Sequence, residues 1–211
     1  MDARQITLSI SVALSLLSFM PAVDKFVKLL PELMGSLFSN SVAIRIEDKC
    51  RMSRARNQLF SLSMLPLCIL FWVSGIYAPR WISTLHAPFD LLSVSGVFLA
   101  YCLLRTLMTH ALPVPKIRSL AYASFCGLPK TFAVLLLALL FPTVLVLDLA
   151  GCPEDVAKYV IFGLVMSLYA VFLIRRFKIF ASEGCFLQAI SYLCALEIVP
   201  TTLLTVSAVV F

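Results

Sequence analysis

"TFAVLLLALLFPTVLVLDL", residues 131–149, decides what kind of protein this is. Its one formal charge, Asp148, lies next to its end, and its one proline, Pro142, lies inside it. At about 1.5 Å per residue, a helix of this length crosses the ~30 Å hydrocarbon layer of a bilayer. Working outward from it, comparable apolar runs occur at about 6–23, 58–78, 88–108, 156–174 and 185–211. The reading is an all-α integral membrane protein of about six transmembrane helices, with residues 1–211 forming a single polytopic membrane domain.

Composition points the same way. Of the 211 residues 61% are hydrophobic and 13% charged, with a mean hydropathy of +1.00. Soluble domains run at about 45–50% apolar. A net charge of +6 would suggest nucleic acid in a soluble protein. Between apolar runs, basic residues instead mark cytoplasmic loops and meet anionic headgroups, so lipid is the expected partner and nucleic acid is not.

The basic residues also orient the chain. All except Arg4, Arg80 and Lys158 fall in or beside the links from the first to second, third to fourth and fifth to sixth runs. The positive-inside rule makes those links cytoplasmic and puts both termini on the outer, periplasmic side. Lys49, Arg51, Arg54, Arg56, Arg175, Arg176 and Lys178 are the expected contacts with anionic lipid. The N-terminal "ITLSISVALSLLSFMPAV" lacks a small-x-small cleavage site before Asp24 and reads as a span rather than a signal peptide.

Two links are long. Residues 24–57 carry Phe26, Leu29, Leu30, Leu33, Leu37 and Phe38 at near-helical spacing before the basic "KCRMSRAR". Residues 109–130 are broken by Pro113, Pro115 and Pro129. Both are expected to hold interfacial helices. Helix contacts within a bilayer favour small residues. Thr7, Ser11, Ser15 and Ser18 form one such stripe, Gly96 and Ala100 a second, and Gly163, Ser167 and Ala170 a third.

The informative polar residue lies in the last run, "YLCALEIVP" at 192–200. Pro200 has no amide hydrogen and clashes with the carbonyl four residues back, that of Leu196, beside Glu197. A freed carbonyl in hydrocarbon must find another partner. Pro66 and Pro142 raise the same demand in the second and fourth runs. Cys194 and Thr201 share the face of Glu197 by helical spacing and are expected packing residues.

A charged, unpaired glutamate at this depth costs several kcal/mol. Glu197 lies roughly 21 Å below the outer end of its run and Arg105 roughly 25 Å below that of the third, an offset that two long side chains bridge. An Arg105–Glu197 pair is therefore expected, with a proton- or ligand-handling carboxylate and a neutral glutamic acid as open alternatives.

Catalytic sets are missing where they would have to appear. There is no Gly-x-Ser-x-Gly elbow, His-Glu-x-x-His pair or phosphate-binding glycine loop, and the reading is not an enzyme. His86 and His110 sit at opposite ends of the third run and cannot share a metal. The seven cysteines include no Cys-x-x-Cys pair, so neither a disulfide framework nor a zinc site is expected, and no cofactor is implied.

Tyr192, Leu193, Cys194, Leu196, Glu197, Ile198 and Pro200 resemble the C-terminal signature Leu-Tyr-Leu-Cys-x-Leu-Glu-Ile-Leu-Pro of a family of small multi-span inner-membrane proteins from Bacteroidota, with Ser191 and Val199 departing from it. The resemblance implies a bacterial inner-membrane location and supplies no activity. The functional expectation is a non-enzymatic accessory or scaffold subunit among other integral membrane subunits. The alternative is a small transporter or lipid-handling protein using Glu197 as a proton or cation site.

Overall fold

The computed structural model describes residues 3–75, 82, 86, 89–111, 119–183, 190 and 193–210. Its elements are all helical. In chain order they are α1 (Ala3–Phe19), a 3-10 turn (Met20–Ala22), α2 (Val23–Phe38), α3 (Asn40–Asp48), α4 (Cys50–Ser74), α5 (Phe89–Ala111), α6 (Ser119–Leu149), α7 (Glu154–Glu183), a π-turn (Cys194–Ile198) and α8 (Val199–Val210).

Among the described residues five stretches are long and apolar enough to cross a membrane: Ser9–Phe38, Cys50–Ser74, Phe89–Thr109, Tyr122–Leu149 and Asp155–Ile179. Of the expected last span, residues 185–189, 191, 192 and 211 lie outside the described residues; the rest includes the π-turn and α8 and is not among the five. Exposed large apolar side chains such as Leu17, Leu92, Leu103, Val146 and Tyr159 cover the helix exteriors. Water would penalise such a surface, whereas lipid tails accept it.

α4 and α6 pack side by side at the centre, with α7 against α6, and α1 and α5 against α4. The π-turn and α8 rest on α5. Glycine ends α4 because its φ of 61° at Gly75 is left-handed, a conformation that costs a Cβ-bearing residue energy. Its amide bonds the Trp72 carbonyl at 3.3 Å. Nearby the Trp72 indole donates to Asp90 Oδ2 at 2.8 Å, so Asp90 ties α5 to α4 instead of being the simple boundary charge its position suggests.

The two long links differ from the expected interfacial helices. α1 passes through the 3-10 turn at Pro21 into α2. The apolar face of α2 then turns inward, burying Leu29, Leu33 and Leu37 in one cluster with Ile46 of α3, Leu59 of α4, Leu135 of α6 and Phe172 of α7. Ser39, in extended conformation, reverses the chain into α3. In the second link Ser119–Lys130 forms the opening turns of α6, and Ser124, Phe125 and Leu128 are buried. An amphipathic period marks one apolar face and is silent on whether lipid or protein covers it.

Pro66 and Pro142 lie inside α4 and α6 and line a common apolar cavity of about 320 Å³ with Ser15, Phe19 and Leu137. The packing defects made by the two rings fall at one level between α1, α4 and α6. The third proline, Pro200, is fully buried directly after the π-turn.

Candidate functional site: a buried arginine–glutamate cluster

Pro200 cannot donate a backbone hydrogen bond, and the chain accommodates this by widening the preceding turn. Cys194–Ile198 is a π-turn, closed by the Val199 amide on the Cys194 carbonyl. Hydroxyls serve the neighbouring carbonyls: Thr202 Oγ1 donates to the Ile198 carbonyl at 2.6 Å, and Thr201 Oγ1 bonds the Glu197 carbonyl. Tyr169 of α7 reaches across, its hydroxyl donating to the Glu197 carbonyl at 3.2 Å and lying 2.9 Å from Thr201 Oγ1. This is how a proline break survives away from water, through a local π adjustment and nearby hydroxyls.

The same turn aims Glu197 into the bundle, where it is 0% exposed. Arg105 Nη2 of α5 donates to Glu197 Oε1 at 2.6 Å. The structure thus brings Arg105, Glu197 and Pro200 together. It adds Arg176 of α7, which pairs with the same carboxylate oxygen. Arg176 is 1% exposed and stacks on Phe125, its guanidinium carbon 3.9 Å from the ring centroid. Phe172 lies beneath both cations, at 5.2 Å from Arg105 and 5.5 Å from Arg176. Aromatic faces attract cations most where water is excluded.

Three of the basic residues assigned to lipid are therefore elsewhere. Arg176 is in this cluster. Arg175 is buried and donates to the Ser36 carbonyl of α2 at 2.8 Å. Arg56 is buried and paired with Glu47 of α3, which also accepts from Ser53 Oγ at 3.0 Å. Residues 175 and 176 are about 100° apart around their helix, so an adjacent pair on a packed helix meets two different neighbours. Lys49, Arg51, Arg54 and Lys178 are exposed.

The packing residues divide as well. Ser11 is buried, Ser15 half-buried, and Thr201 half-buried against Tyr169. Cys194 is exposed, a correction that follows from the π-turn: widening the turn breaks the three-residue spacing that would put it beside Glu197. Gly163 and Ser167 are also exposed, with nothing within 4 Å of a Cβ placed on Gly163. Gly96 is equally open.

Tyr169 and Phe172 were not expected in the site, and Arg176 was assigned to lipid. Their signal was the spacing of three and four along "YAVFLIRR", an aromatic and cationic stripe on one face, hidden by counting every basic residue at a helix end as surface. Among the described residues no group of three or more His, Cys, Asp or Glu is placed to hold a metal. The cluster offers cation–carboxylate ties and one carboxylate oxygen, Oε2, with no hydrogen-bond partner.

Over residues 6–206 the chain belongs to the family described as a domain of unknown function, DUF4271. No curated protein and no solved structure matches it.

Proposed function

We propose that this member of the family is a non-enzymatic accessory or scaffold subunit of a larger assembly in a bacterial inner membrane, with six spans and both termini periplasmic. The observation that carries the reading is Glu197 itself. A carboxylate that is fully buried and held by cations from two different helices works as a tie between α5, α7 and the final segment. Breaking such a pair by removing one partner costs about 3–5 kcal/mol, which is a high barrier to use as a transport cycle.

A second observation supports the partner. Small residues let helices approach closely in lipid, yet Gly96 and Gly163 face open space. These faces suit other membrane subunits. The basic exterior at Lys49, Arg51, Arg54 and Lys178 meets anionic lipid in this reading.

The test is extraction of the native protein in mild detergent. Integral membrane partners in fixed stoichiometry are expected; a lone monomer counts against the proposal. One observation favours the transporter alternative, the unpartnered Glu197 Oε2 inside a π-turn, a feature common at functional sites. A proton or cation flux into proteoliposomes that disappears in Glu197→Gln would favour it over the scaffold.

A further inference from the structure

The cluster is unbalanced. Two guanidinium groups, which stay charged in proteins, face one carboxylate, and among the described residues no second carboxylate pairs with either arginine. A buried charge left without a counter-ion is strongly destabilising. The Nε atoms of Arg105 and Arg176 have no hydrogen-bond partner. Arg176 is walled in by Phe125 and Phe172. Arg105 is not: 18% of its side chain is accessible, and it shares α5 with the exposed Leu104 and Leu107. Among the described residues, a compensating anion therefore reaches the cluster through Arg105.

Depth says what kind of anion. Arg105 stands six residues before Ala111, the last residue of α5, about 9 Å along the axis. Its guanidinium is held at Glu197, so it is the anion that must cover this distance, through local thinning of the bilayer toward the charged cluster. The end of the bundle where α5 finishes and α4 begins carries the exposed Lys49, Arg51 and Arg54, which concentrate anions there. The guanidinium fork matches a phosphate in two parallel bonds.

We propose that Arg105, backed by Arg176, holds a second anion beside Glu197: a phosphate ester, supplied by the headgroup of an anionic phospholipid seated against α5. The proposal rests on the membrane reading alone and is independent of whether the protein is a scaffold.

The experiment measures the unfolding midpoint of the full-length protein, purified without partners in a neutral detergent, on adding phosphatidylglycerol, phosphatidylcholine or inorganic phosphate. Phosphatidylglycerol is expected to raise the midpoint by about 5–10 °C at a hundredfold excess over its Kd, and phosphatidylcholine by much less. Arg105→Gln leaves one cation per carboxylate and should abolish the rise. Arg51→Gln, on the exposed surface, should keep it. Glu197→Gln leaves two cations uncompensated and should enlarge it, which keeps the test decisive where Arg105→Gln does not fold. A rise with inorganic phosphate alone would overturn the lipid as the source. A rise undiminished in Arg105→Gln and lost in Arg51→Gln would overturn the site, as would no rise in the parent protein. That last result would leave a carboxylate on a partner helix as the compensating group.

Discussion

Arg56 and Glu47 form the second buried ion pair, and their closeness depends on a residue that has no side chain. A Cβ on Gly127 of α6 would overlap Glu47 Oε1 and Arg56 Nη1. Glycine inside a helix ordinarily loses about 1 kcal/mol relative to alanine, so Gly127→Ala should stabilise a helix judged by propensity alone. Here the opposite sign is expected, a loss of about 1–3 kcal/mol from overpacking, read from unfolding in mild detergent. In a Glu47→Ala, Arg56→Ala parent, where the overlapping atoms are gone, Gly127→Ala should cost little. An unchanged or raised stability in Gly127→Ala alone would show that the pair does not occupy this space.

At the scale of elements, the final segment is fastened to α7 by more than charge. Tyr169, Thr201 and the Glu197 carbonyl form one hydrogen-bonded unit across the π-turn. Tyr169→Phe and Thr201→Val are each expected to lower stability by about 1 kcal/mol. The double variant should lose less than the sum, because both singles remove the same bond. Strict additivity in this cycle would mean that the two hydroxyls do not meet. The π-turn also explains which part of the site was visible beforehand. Glu197 beside Pro200 was legible as a polar defect because proline chemistry is local, whereas the outward turn of Cys194 was not, because nothing in the spacing announces where a helix takes up an extra residue.

For the whole molecule, the distribution of basic residues predicts a fixed orientation, and the native cysteines report on it. Cys50 is exposed at the start of α4, and Cys152 is half-buried in the link between α6 and α7. In variants retaining only one of these cysteines, a membrane-impermeant maleimide added to intact spheroplasts should label Cys152 and reach Cys50 only after permeabilisation. The reverse pattern would invert the topology and place Lys49, Arg51 and Arg54 outside. The same end of the bundle gathers the buried Arg56, near the start of α4, and Arg175 and Arg176, near the end of α7, with the half-buried Arg105 near the end of α5.

The sequence by itself pointed to lipid as the solvent and located the four long helices of the middle of the chain, because apolar runs of about twenty residues match the thickness of a bilayer. It also exposed the need of Glu197 for a cation and offered Arg105 by depth. Only the tertiary structure decided the rest: the inward packing of α2 and α3, the second cation at Arg176, and the burial of Arg56 and Arg175. The physical reason is that hydropathy and charge record what a residue must avoid or satisfy, while the neighbour that satisfies it comes from helices distant in the chain.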